Sequence, residues 1–186
     1  MTSPITHIID QHVQVVEQLK SLSEPIHQAA QLVLKAFKQG NKLLLCGNGG
    51  SAADAQHIAA EFTGRYLKDR EPLPALALHT NTSSITAIGN DTGYEKVFER
   101  EVKAHGKKGD ILIAISTSGN SKNILLAVQA AKERNLTTIA FTGTTGGKLK
   151  DLCDICLCVP SDVTPRIQEA HILLGHILCE LVEDGL

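Results

Sequence analysis

The sequence lacks a long hydrophobic run, a cluster of basic residues and a signal-peptide core. No apolar stretch in its 186 residues approaches the roughly 20 residues that a membrane span needs. The segment from Met1 to His12 is mixed and polar, unlike a secretion signal. The net charge is −2, so no basic field attracts nucleic acid. We therefore expect neither a membrane protein nor a nucleic-acid-binding protein.

A disulfide framework is also lacking. The five cysteines are odd in number and unevenly spread, which indicates reduced thiols and a cytoplasmic protein. The pair Cys153 and Cys156 has no second pair to complete a zinc site. Cys156 and Cys158 alternate within an apolar run, which favours buried strand thiols over a metal or redox site.

Short apolar runs alternate with helical patterns along most of the chain, and 42% of the residues are hydrophobic. This pattern predicts a single α/β domain (1–186) with a five-stranded, mostly parallel sheet between two helical layers. The predicted strands are 42–46, 75–78, 110–115, 137–141 and 155–159. The predicted helices are 5–22, 25–38, 51–64, 121–134 and a long one starting at Thr164 and Pro165. We interpret 66–74 as a mobile loop.

The first predicted helix carries an apolar stripe that the sheet cannot fully cover once the second helix packs there. Its members are Ile8, Ile9, Val13, Val16 and Leu19. We expect residues 1–40 to serve oligomerisation and 41–186 to form the α/β core, so that the chain forms a homo-oligomer.

Two turns join a strand to a helix start and offer free backbone N–H groups to an anion. The first contains Gly47, Asn48, Gly49, Gly50 and Ser51. The second places four hydroxyls within six residues, more than a helix cap needs, and predicts phosphate binding; the hydroxyl residues are Ser116, Thr117, Ser118 and Ser121. The alternative is that both stretches only make turns and caps.

A dinucleotide site is a second interpretation of the first turn. Gly47, Gly49 and Ala52 fit the loose fingerprint G-x-G-x-x-G/A. That fingerprint also requires an acidic residue after the next strand to bind the ribose, and residues 77–80 contain none. The sequence therefore disfavours a dinucleotide cofactor.

Acid–base and metal candidates occur on two helices. Asp54, His57 and Glu61 share one helical face, where His57 and Glu61 could ligate a metal, leave Glu61 free as a base, or form a solvated polar stripe. The last helix is apolar nearly all round, which indicates burial. Its polar residues Glu169 and His176 then need partners. Periodicity alone favours Glu169 over Gln168 as the neighbour of His176. The alternative for His176 is a core or interface histidine whose hydrogen bonds are satisfied within the protein.

Taken together, these motifs resemble the phosphoheptose isomerases of the sugar isomerase (SIS) domain family, over roughly residues 40–181. The segments that carry the resemblance are 46–51, 55–57 with Glu61, 89–91, 116–121 and 166–169 with His176. The resemblance implies an SIS-type, flavodoxin-like fold and a cytoplasmic homotetramer with active sites between subunits. It implies an aldose–ketose isomerase that converts sedoheptulose 7-phosphate to D-glycero-D-manno-heptose 7-phosphate in lipopolysaccharide-core biosynthesis.

The resemblance also implies site residues. One zinc ion per subunit would be held by His57, Glu61, Gln168 and His176, so it selects Gln168 where periodicity favoured Glu169. Glu61 would be the base and His176 the acid. Substrate contacts would come from Asn48, Gly49, Gly50, Ser51, Glu61, Asn90, Asp91, Ser116, Thr117, Ser118, Ser121 and Gln168.

A non-catalytic role is the alternative. Some relatives in the family resemble tetrameric adaptors that bind the replication initiator protein, and these lack the carboxylate and imidazole matching Glu61 and His176. This chain has both, which favours the enzyme. A sugar-phosphate-sensing regulator is disfavoured, because the chain has neither a basic patch nor room for a separate DNA-binding domain.

Overall fold

All five strands of the sheet run parallel in the computed structural model, which describes residues 3–186. The strand order is β2-β1-β3-β4-β5, the flavodoxin-like order in which the chain reverses direction across the sheet between β1 and β3. The strands are β1 (Leu43–Gly47), β2 (Ala75–Ala77), β3 (Ile111–Ile115), β4 (Thr137–Thr142) and β5 (Ile155–Cys158). The predicted five-stranded α/β fold is confirmed.

Helices cover both faces of the sheet. They are α1 (Pro4–Gln18), α2 (Ser23–Lys38), α3 (Gly50–Thr63), α4 (Thr82–Thr92), α5 (Val97–His105), α6 (Lys122–Glu133), the short α7 (Leu149–Leu152) and α8 (Thr164–Asp184). Short 3₁₀ helices occupy Leu19–Leu22 and Tyr94–Lys96. The sequence analysis predicted no element between β2 and β3, where the structure has α4, the second 3₁₀ helix and α5.

The core consists of two apolar clusters, one on each face of the sheet. On β1, Leu43 and Leu45 face the cluster formed with α1, α2, α3 and α8, whereas Leu44 and Cys46 face the one formed with α5 and α6. Neighbouring strand residues point to opposite faces, so a strand covered on both sides must be apolar throughout. This explains the continuous apolar runs in the sequence.

The helix α4 has only a short apolar face, Ile85 and Ile88, packed partly buried against the second cluster, which is why the sequence did not predict it. None of its residues is fully buried, and its Ser, Thr, Asn and Gly residues are weak helix formers. The side chain of Asn81 caps its start by accepting a bond from the Ser84 N–H at 3.1 Å. The following α5 is anchored by buried Phe98 and Val102.

The segment after α3 is anchored rather than a mobile loop, and that expectation is wrong. The Glu183 carboxylate, at the end of α8, accepts hydrogen bonds from the backbone N–H groups of Tyr66 (3.2 Å), Leu67 (2.8 Å) and Lys68 (2.8 Å). Arg70 adds a fourth donor, its Nε, at 2.9 Å. The buried carboxylate of Glu183 is thereby fully bonded, as a buried charge requires.

Among the described residues, we find no helix with the length and apolar character needed to cross a membrane.

Candidate active site

The turn after β1 requires glycine at two positions. Gly49 has φ +55°, in the region that residues with a side chain rarely adopt. A Cβ on Gly47 would lie 2.4 Å from the carbonyl oxygen of Ser51. The chain therefore turns sharply from the sheet into α3, and the first N–H groups of that helix lie beyond the carboxyl end of β1, where parallel sheets bind ligands.

The hydroxyl-rich turn after β3 is held in one shape by several contacts. Oγ of Ser116 and Oγ of Ser121 lie 3.0 Å apart. The carbonyl of Gly119 accepts a bond from the Leu149 N–H at 3.1 Å. Ser121 is the N-cap of α6, yet its side chain makes no capping bond. The capping interpretation therefore does not account for this hydroxyl, which remains suited to an anion.

An amide pair joins the two turns. Nδ2 of Asn48 donates to Oδ1 of Asn123 at 2.9 Å, and Nδ2 of Asn123 donates back to Oδ1 of Asn48 at 2.8 Å. The hydroxyl of Tyr94 donates to the same oxygen of Asn48 at 3.1 Å. Asn48 comes from the first turn and Asn123 from the start of α6, so the pair spans the point where the strand order reverses.

The helices α3 and α8 pack side by side and run in the same direction. A Cβ on Gly50 would meet Gln168, and a Cβ on Gly175 would lie 2.5 Å from Cδ1 of Ile58. The second contact shows that glycine at 175 permits this close approach. It brings His57 of α3 opposite His176 of α8, with their Nε2 atoms 3.2 Å apart.

Glu61 completes a compact cluster. Its Oε1 lies 3.0 Å from Nε2 of His57, and the ligand atoms of His57, Glu61 and His176 all lie within 4.8 Å of one another. Ligands at about 2.0–2.1 Å from a tetrahedral metal are separated by roughly 3.3 Å. The distances from Nε2 of His57 to Oε1 of Glu61 (3.0 Å) and to Nε2 of His176 (3.2 Å) come close to that value. Two imidazoles with one carboxylate also suit a divalent metal. The cluster could therefore hold a metal ion.

The remaining predicted ligand, Gln168, lies against the start of α3. Its Nε2 would be 2.5 Å from a Cβ at Gly50, so its amide sits beside the first helical residue. Glu169, which periodicity favoured as the neighbour of His176, is engaged elsewhere. Its carboxylate bonds Nδ1 of His12 at 2.8 Å and NH2 of Arg166. That periodicity-based expectation is wrong, because α1 supplies a partner that helical spacing cannot reveal.

Two further groups border the cluster. Asp54 lies one turn before His57 on α3; burial raises the pKa of its carboxyl to about 6, although the nearby His57 opposes the shift. Oδ2 of Asp54 is buried without a hydrogen-bond partner. The ring of Tyr66 lies 5.6 Å from that of His176, centroid to centroid. Tyr66 therefore covers His176, which is itself partly buried.

Asn90 and Asp91 lie near the end of α4, a helix that the sequence did not predict. Nδ2 of Asn90 donates to Oδ1 of Asp91 at 2.8 Å, and both residues are exposed. The structure thus brings His57, Glu61 and His176 together, places Gln168 at Gly50, and leaves Asn90 and Asp91 bonded to each other.

Sequence reasoning missed several residues that shape the site, among them Tyr66, Tyr94 and Asn123. Each acts through a partner distant in the chain, so spacing gives no signal for it. A weak signal existed for Asn123: it is a polar residue in the first turn of a helix directly after the hydroxyl-rich segment, where caps and ligand contacts concentrate.

Comparison with known proteins agrees with this geometry. The SIS domain model matches residues 7–143. The phosphoheptose isomerase of Rhodospirillum rubrum is 54% identical over 91% of this chain and 90% of its own. The solved phosphoheptose isomerase of Neisseria gonorrhoeae superposes with a TM-score of 0.92 at 46% identity, covering 97% of both chains. That of Francisella tularensis gives 0.95 at 39% identity, covering 99% of this chain and 100% of its own.

The fold, the paired turns and the family match define an SIS domain protein of the parallel α/β class. Within that class, the chain belongs to the phosphoheptose isomerase family. The comparisons give no support to the adaptor alternative, since the relatives described above bear the name of an enzyme.

Proposed function

We propose that this protein interconverts sedoheptulose 7-phosphate and D-glycero-D-manno-heptose 7-phosphate, an aldose–ketose isomerisation through an enediol. The observation that carries the proposal is the cluster of His57, Glu61 and His176 between α3 and α8. It provides a carboxylate and imidazoles within one small volume, and this reaction needs a base and a proton donor. The names of the similar proteins support the same reaction.

In this proposal Glu61 moves the proton between carbons. Its carboxylate takes the proton from C1 of the ketose and returns it to C2 of the enediol. His176 gives a proton to the C2 carbonyl oxygen, and the proton lost from the C1 hydroxyl restores the imidazole. Each proton removed is thereby replaced, and the product is the aldose. The ring of Tyr66 over His176 limits the access of water to the imidazole.

We propose zinc as the bound metal, held by His57, Glu61 and His176 with Gln168 as the fourth ligand. Because an oxygen or nitrogen bound to zinc cannot transfer a proton, Glu61 and His176 would alternate between the ligand role and the acid–base role. A zinc ion would orient the two substrate oxygens and stabilise the negative charge of the enediolate. Support comes from the ligand-atom separations in the cluster and from the N and O donor set, which zinc accepts.

The phosphate group of the substrate fits the hydroxyl-rich turn. Ser116, Thr117, Ser118 and Ser121 would donate to its oxygens, together with N–H groups at the start of α6. Asn48, Gly49, Gly50 and Ser51 would contact the sugar from the other side of the crevice, with Asn90, Asp91 and Gln168 closing over it. The exposure of Asn90 and Asp91 leaves them available to a ligand.

We also propose a homotetramer whose subunit contacts involve residues 1–40, the α/β core being 41–186. Four apolar side chains on α1 are at least half exposed: Ile5 (71%), Ile8 (50%), Ile9 (55%) and Val13 (51%). An apolar recess of about 600 Å³ lies between α1, α2 and α8, lined in part by Leu173, Ile177 and Leu181. Exposed apolar surface of this kind marks an interface.

The five cysteines are all free thiols, and this suits a reducing compartment. We propose that the protein acts in the cytoplasm, in the synthesis of the heptose of the lipopolysaccharide core.

The proposed function is tested by following aldose formation from sedoheptulose 7-phosphate. We expect Glu61→Gln and His176→Gln to lower kcat by roughly 10²- to 10⁴-fold, the usual contribution of a general acid or base. The matched controls Glu133→Gln and His105→Gln alter the same residue types away from the cluster and should keep the rate. A chelator should abolish turnover, and zinc should restore it. Tight substrate binding without turnover would instead support the adaptor.

A further inference from the structure

We propose that Asn120 is a positioning residue for phosphate binding, because it orients the Ser118 hydroxyl and joins the hydroxyl-rich turn to the loop 143–148 after β4. This inference rests on the proposed function, since it concerns the phosphate group of the same ligand. Asn120 lies between Ser118 and Ser121, two residues proposed to contact the phosphate, and it acts through the first of them.

Two hydrogen bonds connect Asn120 to Ser118. Nδ2 of Asn120 donates to the Ser118 carbonyl at 2.8 Å, and the backbone N–H of Asn120 donates to Oγ of Ser118 at 3.2 Å. The second bond occupies a lone pair of the hydroxyl oxygen, so the hydroxyl hydrogen must point in another direction. The Ser118 hydroxyl is thereby presented as a donor. The oxygens of a phosphate group are strong acceptors, and they match it.

The loop 143–148 fixes the other end of the Asn120 amide. Its Oδ1 accepts a hydrogen bond from the backbone N–H of Lys148 at 3.1 Å. A backbone N–H only donates and a backbone carbonyl only accepts, so these partners allow a single orientation of the amide. The close approach depends on glycine, because a Cβ on Gly147 would lie 2.5 Å from the Ser118 carbonyl oxygen and 2.8 Å from Nδ2 of Asn120.

The Ser118 hydroxyl is accessible to a ligand. Ser118 is exposed, and with Thr117 it lines part of a recess of about 280 Å³. Ser116 and Ser121 differ from it, since their Oγ atoms lie 3.0 Å apart and one hydroxyl donates to the other. That pair keeps one hydrogen for a ligand between two residues. Ser118 keeps its own hydrogen, because its partner in the turn is a donor.

The test is equilibrium binding of inorganic phosphate and of sedoheptulose 7-phosphate, by calorimetry, to the full chain and its variants. Asn120→Ala should raise Kd for both ligands by the same factor, roughly 3- to 10-fold, as expected for one weakened hydrogen bond. KM should rise with kcat unchanged, and Tm should stay nearly constant because Asn120 is exposed. The control Gln129→Ala removes an exposed amide of α6 and should change none of these quantities.

A double variant separates positioning from a general structural effect. Because Asn120 acts through the Ser118 hydroxyl, Ser118→Ala combined with Asn120→Ala should weaken phosphate binding clearly less than the product of the two single effects. Single effects that multiply in full, or an unchanged Kd for phosphate in Asn120→Ala, would overturn the inference. Turnover is measured separately: a chain that shows these binding changes without turnover would remove the isomerase proposal and leave this inference standing.

Discussion

The carboxylate of Glu183 lies 2.9 Å from Nε of Arg70 in an ion pair whose acidic side chain is 2% exposed. The same guanidinium donates from NH2 to the carbonyl of Glu61 and from NH1 to that of Phe62, each at 2.9 Å. The end of α8 is thereby connected to the last turn of α3, next to the proposed base.

Glu183→Gln should destabilise the protein by about 3 kcal/mol, because it leaves the Arg70 charge buried without a counter-ion. It should also lower kcat, since the Gln amide has only one acceptor oxygen for the backbone N–H groups of residues 66–68, and the Tyr66 ring is then held less firmly over His176. Urea unfolding measures the first effect and steady-state kinetics the second. The control Asp184→Asn breaks an exposed pair with Lys68 and should cost less than about 1 kcal/mol.

The buried imidazole of His171 should make the protein less stable in mild acid. Burial lowers its pKa to about 4, even though its bond to the Thr142 carbonyl favours the charged form. Between pH 6.5 and pH 4 the unfolded chain binds a proton that the folded chain does not. The contribution of His171 to the free energy of unfolding should therefore fall by about 1.4 kcal/mol per pH unit, roughly 3 kcal/mol in all.

The variant His171→Phe isolates this effect. It removes the titrating group, while the Thr142 carbonyl still accepts a bond from the Val159 N–H at 3.0 Å. The difference in unfolding free energy between this variant and the unaltered chain should shift by roughly 3 kcal/mol in favour of the variant between pH 6.5 and pH 4. Asp54, whose raised pKa makes the folded state bind extra protons in this range, opposes the decline equally in both proteins. Identical slopes would contradict the prediction.

Gly50→Ala should impair activity with little loss of stability. The new Cβ would meet Nε2 of Gln168 at 2.5 Å, and the flexible amide can move away at small energetic cost. A displaced Gln168 would lose its place beside the first turn of α3. We expect a several-fold fall in kcat/KM and an unchanged Tm. The comparison variant Ala53→Ser changes an exposed position of α3 and should behave like the unaltered chain.

Ile8→Glu should reduce the assembly state, because it places a charge in the exposed apolar stripe of α1. Light scattering after size exclusion should show a tetramer for the unaltered chain and smaller species for the variant. Gln129→Glu introduces the same charge on the exposed face of α6 and should remain tetrameric. If Ile8→Glu still forms the tetramer, α1 is not part of the subunit interface.

The sequence was sufficient to predict those strands, helical faces and turns that depend on a local pattern of residues. Continuous apolar runs such as Leu43–Gly47 predicted strands covered on both faces, and the i, i+4 spacing of His57 and Glu61 predicted a shared helical face. The hydroxyl-rich turn was identified by composition alone. Each of these signals is contained within about ten residues of chain.

What the sequence did not predict depends on contacts between distant segments. Glu169 was favoured as a site residue until His12, 157 residues away, proved to be its partner. The segment after α3 appeared mobile because its anchor, Glu183, follows more than 110 residues later. The helix α4 is polar and weakly helical in propensity, and tertiary packing outweighs that propensity.

The helix α8 makes anchoring contacts at three positions along its 21 residues. Gln168 abuts Gly50 near one end, His171 bonds the end of β4, and Glu183 holds the segment after α3 at the other end. A helix so fastened has almost no freedom to slide, and a slip of one residue would be about 1.5 Å. The distance between the imidazoles of His57 and His176 therefore depends on the position of the whole helix α8, and not on the conformation of either side chain alone.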